Sequence, residues 1–108
     1  MDGSKSIVVE NELISAISGA PIECRHHLIF GNGRRVYAEE DGIWIPLTNA
    51  EHNMGDLLHR IHDNPMAEEL SKIAGQLAWE GEYYRNASTK GQFAARKAFR
   101  QRYGKSYL

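Results

Sequence analysis

The run Cys24-Arg25-His26-His27-Leu28-Ile29-Phe30, followed by Gly31-Asn32-Gly33, decides how this chain reads. Apolar or aromatic residues at Ile22, Cys24, Leu28, Ile29 and Phe30 predict a strand over residues 22–30, with two histidines set into it. Gly31-Asn32-Gly33 is a strong turn signal. Residues 36–41 are polar and acidic, and Ile43-Trp44-Ile45-Pro46-Leu47 predicts a second short strand, which Pro46 marks as an edge or as ending there. The expectation is a hairpin. Thr48-Asn49-Ala50-Glu51 then reads as a T-x-x-E capping box, so a helix is expected from Thr48, with His52 in its opening turns and Gly55 ending or bending it. Adjacent side chains on a strand alternate, so His26 and His27 point to opposite faces unless a bulge or the strand end brings both into one cleft. A helix start packed on the two strands can bring His52 to a histidine of the first strand.

Outward from this unit the chain stays simple. Residues 6–17 show an amphipathic spacing (Ile7, Leu13, Ile14, Ile17) of undecided type, and Ser18-Gly19-Ala20-Pro21 is a turn signal. Downstream, Asn64 caps a helix, Pro65 takes its first position, and Glu68 and Glu69 sit near the positive end of its dipole. Met66, Leu70, Ile73, Ala74, Leu77 and Ala78 form its expected buried face, and Gly81 its stop after Glu80. A third helix is expected from about Thr89, with a T-x-x-Q box to Gln92, ending at Gly104. The expected fold class is α+β: a single domain over residues 1–108, with a core unit at about 22–62 and a helical C-terminal part at 64–104 with a basic end.

Composition excludes several classes. At 42% hydrophobic and 25% charged the chain has the balance of a globular protein. Cys24 is the only cysteine, so neither a disulfide framework nor a four-cysteine zinc site is available, and a reducing compartment such as cytoplasm is expected. No apolar run approaches the roughly 18 residues of a membrane span, and Met1-Asp2-Gly3-Ser4 lacks the features of a signal peptide, so no membrane partner is expected. Charge is segregated. Residues 1–82 hold all 14 acidic residues against 6 basic ones, a net −8, whereas residues 83–108 hold 7 basic residues and no acid. Such a tail has the character of a phosphate-backbone footprint, or of a solvated cationic helix face.

Phosphodiester hydrolysis makes three demands on a site. An attacking water must lose a proton, and imidazole titrates near neutrality. Charge on the phosphate and the leaving oxygen must be stabilised, which one divalent cation can do. Arginines suit the grip on phosphate.

The segments Cys24 to Gly31, Asp41-Gly42-Ile43-Trp44-Ile45-Pro46-Leu47, Glu51-His52-Asn53, and Ile61-His62 leading to Gly75-Gln76-Leu77-Ala78, with the tail Phe99 to Leu108, together resemble the HNH endonuclease family, in particular its small phage-type members. The resemblance runs from about residue 22 to the end, through short motifs in matching order. It implies a ββα-metal core with flanking helices and hydrolysis of DNA through one divalent metal ion, Mg2+ first, with Mn2+, Ni2+ or Zn2+ as alternatives. It places His26 as first metal ligand, His27 as general base, His52 as the closing ligand and His62 as a further ligand or phosphate contact. Arg34 and Arg35 occupy its basic inter-strand loop, and with Arg96 and Arg100 of the basic helix they are the expected substrate-binding residues. DNA is the implied partner, held by its backbone with weak sequence preference. Phage terminase or another phage protein is a second implied partner, and the location implied is the cytoplasm of a bacterial host.

Two departures bear on these roles. Thr48 and Glu51 stand where many members carry a cysteine pair, so no structural zinc is expected and the capping box secures the helix start instead. Ile43, nine residues before His52, occupies the place of the family's Asn. Ile43 cannot orient an imidazole, so a backbone carbonyl near Asp41 or Gly42 is expected to hold His27. Asp56, one helical turn after His52, is an alternative ligand if the helix continues past Gly55. The rival readings are a fold of this type that binds nucleic acid or protein without cutting, a packaging accessory active only with terminase, and a structural metal site. His59 reads as a surface residue, Trp44 and Trp79 as packing, and Cys24 as a small buried side chain.

Overall fold

The computed structural model describes residues 4–86 and 92–108. Its elements run β1 (Cys24–His27), α1 (Arg34–Asp41), β2 (Trp44–Leu47), a short wide helical turn (Ala50–Met54), α2 (Pro65–Asn86) and α3 (Gln92–Tyr103). The two strands form an antiparallel pair in which His26 faces Ile45 and His27 faces Trp44. The fold is therefore α+β, as expected, but the strands are not joined by a tight hairpin. Gly31, Asn32 and Gly33 all take positive φ, at 89°, 51° and 81°, and this left-handed run launches α1 rather than reversing the chain. Gly42 ends α1 at φ 74°, and a Cβ there would lie 2.3 Å from the Lys5 carbonyl oxygen, so no other residue fits.

α1 was expected to be a polar connection. Only Ala38 of its eight residues is buried, so its sequence carries little apolar periodicity. It is held by its ends and by Asp41. The Asp41 carboxylate accepts hydrogen bonds from Trp79 Nε1 at 3.0 Å, Tyr103 Oη at 2.8 Å and Arg102 at 3.0 and 3.1 Å, joining α1 to both long helices. Burial and then Asp41 raise the Tyr103 hydroxyl pKa, so that group stays a donor. Leu28, Ile29, Ala38, Ile43, Phe99 and Tyr103 form the buried core.

α2 corrects the expected face. Its buried residues are Ser71, Gly75, Gln76 and Glu80, whereas Met66, Leu70 and Leu77 are open to solvent. The apolar atoms come from the other side of the contact. A Cβ on Gly75 would lie 2.9 Å from Leu28 Cβ and from Ile29 Cγ1, so glycine lets the strand region approach the helix axis. Gln76 donates to Glu80 and Ser106 and accepts from the Tyr107 N–H, which satisfies the polar part of the face. α2 also runs through Gly81 to Asn86 instead of stopping after Glu80. Its start is as read: Asn64 Oδ1 accepts the Ala67 N–H at 3.3 Å, with Pro65 first in the helix. The capping box expected at Thr89 lies outside the described residues.

Residues 6–17 form no helix. Ile7 donates its N–H to the Gly42 carbonyl and Ser6 Oγ donates to the Trp44 carbonyl, so the segment straps the α1–β2 junction, while Leu13 and Ile17 are exposed. No helix among the described residues is long and apolar enough to cross a membrane.

Candidate metal centre

Three separate local devices bring His26, His52 and His62 together. β1 carries His26 on its inner face. The capping box at Thr48–Glu51 forms reciprocally, Glu51 N–H to Thr48 Oγ1 at 3.2 Å and Thr48 N–H to Glu51 Oε1 at 2.9 Å, and it sets the start of the turn that bears His52. Ser15 Oγ adds a 2.6 Å bond to the same carboxylate. That turn is wound wide, with Gly55 N–H bonded to the Ala50 carbonyl five residues back, and Gly55 ends it. The chain then loops back, and Ile61 N–H and His62 N–H bond to the carbonyls of Glu51 and His52, both at 2.9 Å. Arg60 locks this loop by donating to the carbonyls of Gly55 and His62.

One ligating nitrogen from each of His26, His52 and His62 lies within 4.8 Å of the others, a spacing that fits a single metal ion. Their ring centroids are 4.6 to 5.1 Å apart. Phe30 closes one side, 4.8 Å from the His62 ring and 5.7 Å from His26.

The tautomer of His26 follows from proton counting. Ser71 Oγ donates to the Leu28 carbonyl at 2.8 Å, which uses its only proton. Its 2.8 Å contact with His26 Nε2 must then be accepted, so Nε2 carries the hydrogen and Nδ1 carries the lone pair. His26 is fully buried, and its Nδ1 has no hydrogen-bond partner among the described residues. A buried bare nitrogen beside two further imidazoles is what a metal ligand requires, and the outer nitrogen is fixed as metal-bound histidines commonly are. Burial, then the neighbouring His52, His62 and His27, push the His26 pKa down to about 3. Burial, then His62, Arg35 and His27, lower that of His52. Both rings therefore offer neutral nitrogens at neutral pH. His62 Nδ1 lies 3.4 Å from Glu68 Oε2, which also accepts the Asp63 N–H.

Ser71→Ala should weaken metal affinity about 10–100-fold, the usual effect of removing an outer-shell partner. Titration of the metal-free protein with Co2+, followed by visible absorption, measures this directly. An affinity unchanged within about threefold would mean that Ser71 only packs.

His27 sits on the opposite strand face. Its Nε2 lies 2.6 Å from Glu39 Oε1 on α1, and Arg25 pairs with the second Glu39 oxygen at 2.6 Å. Burial alone would raise the Glu39 pKa, but the hydrogen bond from His27 and the Arg25 charge outweigh it, and the carboxyl titrates below its ordinary range. An ionised Glu39 can only accept from Nε2 of His27, so in the neutral ring the lone pair lies on Nδ1. Glu39 thus holds the ring, in place of the backbone carbonyl expected near Asp41 or Gly42. The Gly42 carbonyl is occupied by Ile7, and Ile43 is buried in the core. An open pocket of about 370 Å3 is lined by His27, Arg35, Val36, Glu39 and Glu40.

The expected arginines divide. Arg35 lines the His27 pocket, and its charge reaches His52. Arg34 donates to the Tyr103 carbonyl at 2.8 Å and Arg96 to Glu80 at 2.8 Å, so both stabilise the helical packing. Arg100 is exposed on α3. Asp56 is not brought to the cluster: it pairs with His59 at 3.6 Å, both side chains being open to solvent. Sequence reading missed Glu39 and Ser71. One is an ordinary acid in a polar stretch, the other a small residue in a helix, and neither carries a signal in a single sequence. No protein-family model, curated protein or solved structure matches this chain.

Proposed function

We propose that this protein is a metal-dependent endonuclease of the HNH type, hydrolysing DNA phosphodiester bonds on a ββα-metal core made of β1, β2 and the turn bearing His52. The convergence of His26, His52 and His62 around a bare, buried imidazole nitrogen carries this reading. His26, His52 and His62 hold the ion, and three protein ligands leave room for water and substrate, the pattern of catalytic rather than structural sites. Three imidazoles suit Ni2+, Zn2+ or Co2+ better than Mg2+, which seeks oxygen, so the donor set moves the expectation from magnesium to a transition ion. The cation, when bound, supplies Lewis-acid stabilisation of charge on the phosphate and leaving oxygens.

The chain's own groups supply the rest. His27 takes the proton of the attacking water on Nδ1, the nitrogen left bare when Glu39 accepts from Nε2. Glu39 holds the ring and stabilises the imidazolium that forms. Arg35, beside His27 in the same pocket, holds the phosphate. Exposed Arg100 is available for backbone contacts, whereas Arg34 and Arg96 are committed inside the fold.

Nicking of supercoiled plasmid tests the reading. Chelator-treated protein should be inactive, and added Mn2+, Co2+ or Ni2+ should restore cutting more strongly than Mg2+. An absence of nicking with all of these ions and with Zn2+ would overturn it.

A further inference from the structure

The loop that delivers His62 leaves the choice of its ligating nitrogen to another element. The backbone of His62 is fixed on both sides, by its N–H on the His52 carbonyl at 2.9 Å and by Arg60 Nε on its own carbonyl at 2.9 Å. Its ring is packed against Phe30, at 4.8 Å between centroids. What remains open is which ring nitrogen is bare, and Glu68 stands at that point. Glu68 lies in the first turn of α2, where the positive end of the helix dipole favours a carboxylate. Its Oε2 accepts the Asp63 N–H at 3.1 Å and lies 3.4 Å from His62 Nδ1. Asp63 takes a φ of 66°, uncommon outside glycine, so the same oxygen also braces the turn that follows His62. Glu68 itself is not one of the three side chains whose ligating atoms converge.

We infer that Glu68 is a positioning residue for His62, fixing Nε2 as the nitrogen offered to the ion; this rests on the reading of the histidine cluster as a metal centre. An ionised carboxylate can only accept, so in the neutral ring the hydrogen sits on Nδ1 and the lone pair on Nε2. Without that acceptor the neutral ring is free to carry its hydrogen on Nε2, the atom a ligand needs bare. The carboxylate also places a negative charge one ring away from an ion whose protein ligands are all imidazoles, which raises the basicity of the ligand. Ser71 and Glu68 are three residues apart on α2 and so are neighbours on its surface. The first turns of α2 therefore set the tautomers of two of the three ligands, His26 and His62.

Proton–nitrogen correlation spectra of the imidazoles in the metal-free full chain read the tautomer directly. At about pH 8.5, above the ordinary range of imidazole, His62 of the wild type should carry its hydrogen on Nδ1. Glu68→Ala should move that hydrogen to Nε2 in part or all of the population and weaken Co2+ binding about 10–100-fold. Glu68→Gln, whose amide oxygen can accept in the same place, should restore the Nδ1–H form and part of the affinity. Asp63→Gly separates the turn from the ring, because glycine takes a positive φ without strain. In the Glu68→Ala background it should restore neither tautomer nor affinity. Recovery of affinity by Asp63→Gly would reduce Glu68 to a brace of the loop and overturn the assignment, as would a wild-type His62 with its hydrogen on Nε2. Equal Co2+ binding by Glu68→Ala and wild type overturns it too, with the metal centre left standing. A wild type that binds no Co2+ removes the metal centre, and the assignment with it.

Discussion

His27→Ala should slow plasmid nicking by about 100- to 10,000-fold, the range contributed by a positioned general base, while Co2+ affinity stays within about threefold of wild type. The split follows from the strand. β1 sends His26 toward Ser71, His52 and His62 and sends His27 toward Glu39, so one proposed metal ligand and the proposed base are separate neighbours on one short element. Glu39→Gln should fall between wild type and His27→Ala in rate with KM unchanged, because Glu39 touches His27 and lies behind its bare nitrogen. Single-turnover nicking and metal titration on the same preparations separate the two effects. Equal rates for wild type and His27→Ala would remove His27 from the mechanism, and equal loss of metal affinity would make it a ligand.

Asp41→Ala should be strongly destabilising although it removes no apolar core side chain. It leaves the Trp79 N–H and the Tyr103 hydroxyl without their acceptor, and leaves Arg102 with Glu40 alone. Removing one partner of a buried network costs about 3–5 kcal/mol, and Arg102 keeps a third of its side chain in solvent, so about 2–4 kcal/mol is expected. In a domain of this size that lowers Tm by about 10–20 °C. Asp41→Asn should lose about half as much, since one oxygen still accepts. Thermal unfolding followed by circular dichroism reads both, and a drop under about 3 °C for the alanine variant would mean the hub contributes little.

Local devices were legible in the sequence wherever a side chain bonds its own neighbourhood. The Thr48–Glu51 box and the Asn64-Pro65 start both form as read, because a cap depends on residues three apart. The three histidines that converge were all candidates in the sequence, which left His62 and Asp56 open; the tight loop locked by Arg60 brings His62 and not Asp56 to the cluster. α1 was not legible. An eight-residue helix with one buried side chain is specified by Gly33, Gly42 and the distant partners of Asp41, none of which produces a period. The face of α2 was misread for a related reason. Periodicity reports which side of a helix is apolar, and here the side facing the core is small and polar, matched to Leu28, Ile29 and Arg96.

The charge division was half understood. The basic tail meets many of its countercharges within the chain: Arg96 on Glu80, Arg102 on Glu40 and Asp41, and Arg85 on Glu82. Segregation along a sequence can thus record pairing between elements as much as a site for an external anion.

α1 stands between two paired strands, and it carries both Glu39 and Arg35 while contributing no histidine to the cluster. The carboxylate that holds the proposed base and the arginine beside it therefore sit on one segment bounded by two glycines. On the proposed reading, changes within that segment would alter how His27 is held without touching the three clustered histidines, which sit on β1, the wide turn and the loop before α2.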